Sequence, residues 1–159
     1  MNAGASPTLS GRVAALYCGF SRLVDRLQPL LALGLRLYVA RVFLLSGLTK
    51  THDWSVTLAL FENEYHVPLL SPAVAAALGT ATELSMPVLL ALGLGTRFAA
   101  GVLFVFNIVA VVSYPELPDI AVKDHILWGL MLLVLIVYGA GRISADRWLE
   151  RRFSRPAGD

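Results

Sequence analysis

Charge is scarce in this sequence. Only 15% of its 159 residues are Asp, Glu, Lys or Arg, whereas a soluble domain carries about 25%. Cysteine is nearly absent: Cys18 stands alone, which excludes an internal disulfide and any CxxC redox or zinc motif. The net charge is +2, and no basic patch is interleaved with aromatics, so nucleic acid is not an expected partner. Walker, GxGxxG, HxxxH and HExxH patterns are all missing. His52, His66, Glu62 and Glu64 share one segment without metal-binding spacing. No ligand set for haem or an iron–sulfur cluster occurs. No metal and no intrinsic cofactor is therefore expected.

What is present is apolar. Hydrophobic residues make up 57% of the chain, and its mean hydropathy is +0.68. Residues 98–115 and 126–141 hold no charged side chain. Residues 65–82 hold none with His66 neutral, and Glu83 then interrupts a run that resumes to Thr96. Residues 29–49 are apolar apart from Arg36 and Arg41. A bilayer crossing needs about 20 such residues, which predicts spans at 29–49, 72–94, 97–114 and 123–141. A soluble bundle would need a polar stripe on each helix, and 98–115 and 126–141 have none. The fold class expected is all-α, a polytopic four-helix bundle in contact with the lipid bilayer.

Positive charge sets sidedness. Arg12, Arg22, Arg26, Arg97, Arg142, Arg147, Arg151, Arg152 and Arg155 fall on one side, against Lys50 and Lys123 on the other. Both termini are then expected in the cytoplasm, with the acidic connections outside a bacterial inner membrane. The chain divides into a leading segment 1–28, a four-span domain 29–141 and a tail 142–159. Leu9, Val13, Leu16, Tyr17, Phe20, Leu23, Val24 and Leu27 recur at helical spacing. They predict an amphipathic helix, lying on the inner leaflet or binding a partner. A shorter pattern over 144–153, capped by Ser144, repeats this at the other end, with Trp148 at the interface. Trp54, Leu58, Phe61 and Tyr65 predict a short helix resting on the outer surface.

Ionisable groups at membrane depth need an account. Arg41 and Glu83 sit near the centres of spans one and two, so an ion pair between them is expected, structural or part of a proton or substrate site. Arg36 lies about 7.5 Å inward of Arg41, within snorkelling reach of the inner headgroups. Asn107, mid-way along span three, is expected to bond to a neighbouring helix, or to Glu83 in one network. Lys50, His52, Ser113, Tyr114, Asp124, His125 and Trp128 gather at the outer edge. Donors beside an aromatic wall there could receive a quinone headgroup; the plainer reading is an interfacial belt.

Segments LRLYVARVFLLSGLTK (35–50) and GTATELSMPVLLALGLGTR (79–97) resemble the first two spans of the DoxX family of small membrane proteins. FNIVAVVSYPEL, DHILWGLMLLVL and GAGRISADRWL continue the likeness over about residues 33–150. The resemblance implies a four-helix membrane bundle, with Arg36, Lys50 and Glu83 as matched polar positions. Arg41 and the leading helix depart from the family pattern. The likeness also implies a quinone-linked oxidoreductase or redox-stress system, in which this chain works with a redox partner protein. Glu83 with Arg36 or Arg41 would supply buried charge there. Lys50, Asn107, Tyr114, His125 and Trp128 would line a quinone site. A non-catalytic scaffold, a small-solute transport component and a homo-oligomer are the other readings.

Overall fold

The computed structural model describes residues 9–153. The ends 1–8 and 154–159, including Arg155, lie outside the described residues, as do the side chains of Leu9 and Arg12. Six helices follow one another: α1 (Leu9–His52), α2 (Trp54–Asn63), α3 (Pro72–Leu92), α4 (Thr96–Ser113), α5 (Asp119–Tyr138) and α6 (Ala145–Phe153). α1, α3, α4 and α5 are long and apolar enough to cross a membrane. Helices suit that role because every backbone N–H finds its carbonyl within the same segment. The chain is an all-α, multi-pass membrane protein.

The four long helices close a ring, with α1 against α3, α3 against α4, α4 against α5, and α5 back against α1. Val39, Phe43, Leu90, Leu103, Leu132 and Leu135 fill its centre. Leu45, Leu78, Phe98, Val105, Ile126 and Val137 point outward. In water such a belt would be costly; against lipid tails it is matched.

α1 differs from expectation. Residues 9–28 and the span 29–49 are not separate elements: the 44 residues of α1 form one helix, about 66 Å long against a hydrocarbon layer of roughly 30 Å. Pro29 lies inside it and withholds a single hydrogen bond, the one its missing N–H would give the Asp25 carbonyl. Helix formers on both sides, from Leu27 to Leu33, carry the helix across.

α2 begins at Asp53, whose carboxylate accepts from the N–H of Ser55 at 2.9 Å and of Val56 at 3.2 Å. These bonds hold the Asp53 carboxyl below its ordinary range, chiefly through the Ser55 side chain. Instead of resting on the outer surface, α2 turns Phe61 into the bundle, against Ala75 and Ala76. Thr57 Oγ1 donates to the Lys50 carbonyl at 2.8 Å, and the His66 N–H donates to the Ser113 carbonyl at 2.7 Å. These two bonds pin α2 and its following loop over one end of the bundle.

Candidate functional site

Under α2 lies a cavity of about 350 Å³, in the half of the bundle nearer that helix. That lies at the small end of ligand pockets, about 300–1,000 Å³. Its wall is mostly apolar and aromatic, with Phe43, Phe61, Tyr65, Phe106 and Trp128 contributing rings. Phe43 meets Phe106 and Trp128 edge-on, at centroid distances of 6.2 and 6.1 Å. Tyr65 stacks on Phe61 at 5.0 Å and leans on Tyr114 at 5.1 Å, which builds the roof. Burial pushes the Tyr65 phenol up, and Glu64 pushes Tyr114 up. Both phenols therefore stay protonated at neutral pH.

One wall carries charge. Lys50 Nζ donates to Glu83 Oε2 at 2.7 Å, to Oε1 at 2.9 Å and to Ser46 Oγ at 3.0 Å. The pair is nearly closed to solvent. Two local features bring it together. Gly47 lets α1 and α3 meet: a Cβ there would stand 2.9 Å from Glu83 Cβ. The side chains of a helix lean toward its N-terminus, so Lys50 reaches one turn inward along α1 to the level of Glu83. Pro87, buried in α3, has no N–H for the Glu83 carbonyl, which loosens α3 beside the pair.

The expected Arg41–Glu83 pair does not form. Arg41 is exposed on the lipid side of α1. By the same lean its guanidinium is directed along α1 toward that helix's N-terminal end. Arg36, expected to snorkel, is instead 1% exposed. It donates from Nη2 to the Ile143 carbonyl at 2.7 Å. The two arginines thus exchange roles.

Asn107 is not linked to Glu83 either. Its Nδ2 donates to the His125 carbonyl at 2.9 Å, and its Oδ1 stands 2.8 Å from His125 Nδ1. A backbone carbonyl can only accept, so the amide orientation is fixed, and Oδ1 must receive a proton from Nδ1. In the neutral ring that leaves Nε2 as a bare lone pair. No hydrogen bond to Nε2 occurs among the described residues. Gly129 makes room for the amide: a Cβ there would lie 3.3 Å from Asn107 Nδ2. Trp128 holds the ring edge-on at 4.9 Å. Ser113, also on the cavity wall, is buried with its hydroxyl unpartnered.

Of the residues singled out from the sequence, Lys50, Glu83, Ser113, His125 and Trp128 meet at the cavity. Tyr114 supports its roof and Asn107 its histidine. His52 and Asp124 face away. Phe43, Ser46 and Phe106 went unread; Ser46, one turn before Lys50 on the same face, was the available signal. Arg36 belongs to a second cluster at the inner turn. There Asp146 accepts from the N–H groups of Gly95 and Thr96 at 2.7 and 3.0 Å, capping α4 from a distance.

The sequence model of one protein family, described as DoxX, matches residues 31–115, more than half of the chain. Lys50, Glu83, Asn107 and Ser113 fall inside the match, while His125 and Trp128 lie beyond it. No curated protein and no solved structure matches the chain.

Proposed function

Because the chain belongs to the DoxX family, we propose that it is a quinone-binding membrane subunit of an oxidoreductase system, working with a redox partner protein. The observation that carries this reading is the cavity under α2, apolar and aromatic around a few converging polar groups. A quinone ring suits such walls: its faces stack on aromatics, and its two oxygens call for separate polar partners. The orphaned Ser113 hydroxyl is one such partner. The bare Nε2 of His125 is another, able to accept from a ring hydroxyl in the reduced form. When bound, a quinone supplies two-electron, two-proton redox chemistry.

The protein's own residues would hold and orient the ring. Lys50 and Glu83 neutralise each other at the wall, so the cavity presents no net charge to an uncharged ligand. His125, fixed by Asn107, would offer Nε2 as a hydrogen-bond acceptor. The described residues show no electron-carrying ligand set, which is why a partner enters the proposal. A scaffold or solute-transport role remains the competing reading and predicts no saturable ring binding.

The test is titration of the purified protein in nanodiscs with a short-chain quinone and its quinol, read by quenching of Trp128 fluorescence. Trp128→Phe identifies the signal. Saturable quenching is expected, with the quinol weakened about threefold to tenfold by His125→Ala or Ser113→Ala, the worth of one neutral hydrogen bond. Absence of saturable quenching by both forms would overturn the reading.

A further inference from the structure

α1 bears an apolar stripe that the rest of the described chain leaves uncovered. Val13, Tyr17, Phe20, Val24, Leu27 and Leu31 follow one another in alternating steps of four and three residues. Leu16, Leu23 and Leu30, seven residues apart, widen it along one edge. These nine side chains are between 42% and 75% exposed. A stripe of period 3.5 fits a helix that packs along another helix, and here it runs a little under three heptads.

Geometry removes two covers. At about 100° per residue, the stripe lies on the side of α1 opposite Phe43, Gly47 and Lys50, which face the bundle. The bundle-facing side continues outward as Cys18, Arg22 and Asp25, so polarity reverses where α1 leaves the membrane. The inner leaflet is the second cover removed. Arg36 marks the inner turn through Ile143, and Val13 lies about 35 Å beyond it. α1 runs as one helix from Leu9 to His52, with Pro29 inside it, so no loop separates the stripe from the span and lets it lie down on the leaflet.

We propose that α1 self-associates. A second copy of this chain lays the same stripe in parallel against it, between Val13 and Leu31. Three observations favour a second copy. The bilayer holds every copy with the same end inward at the same depth, so identical heptads meet in register without further specification. The opposite edge of the stripe is Ala14, Ser21 and Gln28, uncharged, so identical helices bring no like charges together; Arg22, Asp25 and Arg26 point away. The area is also sufficient. Nine side chains of about 150 Å² each, on average about 60% uncovered, leave at most roughly 800 Å² to bury, the size of the ~800 Å² per partner of a standard interface. A monomer's largest apolar patch is about 300–600 Å². The pairing ends inside the membrane. Arg41 continues the stripe there, and two guanidinium groups would face each other in lipid, so the helices part before it.

The experiment is disulfide scanning of the full chain in its native membrane, in a Cys18→Ser background. Tyr17→Cys, Phe20→Cys, Val24→Cys and Leu27→Cys should give a homodimer on oxidation, at least tenfold more than Arg22→Cys or Asp25→Cys. Independently, Phe20→Asp with Leu27→Asp should reduce the light-scattering mass in mild detergent to a single chain while leaving helix content and thermal unfolding of the bundle unchanged. Equal cross-linking at all six positions, products containing a different protein, or a single-chain mass for the unmutated protein would each overturn the proposal.

Discussion

Lys50 and Glu83 are the most consequential pair of side chains. Both are nearly withdrawn from solvent, and in such a setting a lone charge costs more than the pair yields. Glu83→Gln and Lys50→Met are each expected to cost about 3–5 kcal/mol by leaving the other charge buried and unpaired. The double variant Lys50→Met with Glu83→Leu should recover most of that loss. Unfolding midpoints of the three variants in one detergent close the cycle; additive losses would show that the two groups are not coupled. The sequence presents Glu83 as a buried carboxylate needing a cation but misassigns the cation. Matching residues by depth puts Arg41 level with Glu83. Two things hidden from that count decide otherwise: the face of α1 on which each residue falls, and the inward lean that brings Lys50 down to the carboxylate. The His125–Asn107 lock was hidden for a similar reason. Periodicity suggests that Asn107 meets a helix, not which one.

At the scale of elements, α6 is fastened to the bundle by the turn between α3 and α4. Gly93 closes α3 in the left-handed region, at φ 71°. A Cβ on it would stand 2.0 Å from Arg36 Nη1 and 2.7 Å from Ser144 Cβ. The Asp146 N–H donates to the Gly93 carbonyl at 2.9 Å while its carboxylate caps α4. Gly93→Ala is therefore expected to cost at least about 1–2 kcal/mol from the backbone alone and to displace Arg36. Limited proteolysis should then cut at Arg147, Arg151 and Arg152 at least tenfold faster than in the unmutated protein, with Gly95→Ala, which meets no neighbour, as the comparison. Ser144 reads as a cap in the sequence, and its Oγ accepts from the Arg147 N–H at 3.2 Å. The bond from Arg36 to Ile143 spans 107 positions, and no local pattern announces a contact that distant. α2 shows the same limit: its helical spacing was plain, but spacing alone does not distinguish lipid surface from cavity roof.

For the whole molecule, an even number of crossings predicts both ends on one side, and the arginine distribution predicts that this side is the cytoplasm. Fusions test this. A fluorescent protein after Asp159 should mature and fluoresce, and alkaline phosphatase at the same point should be inactive. Phosphatase inserted in the 114–118 connection should be active. The opposite pattern would reverse the orientation. The crossings themselves were legible because lipid imposes a length and a polarity that a single sequence displays without packing information. The union of the leading segment with the first span was less so, since Pro29 is usually read as a stop.

That union has a mechanical side. α1 is one continuous helix, and at Gly47, beside the Lys50–Glu83 pair, it lies so close to α3 that a Cβ would stand 2.9 Å from Glu83 Cβ. Val13 stands about 51 Å from that point along the helix, whereas Lys50 is one turn away. A tilt of about 5° about Gly47 carries the far end some 4 Å sideways and moves Lys50 by less than about 0.5 Å. A shift at the cavity wall too small to break a hydrogen bond is, at the far tip of α1, as wide as a side chain.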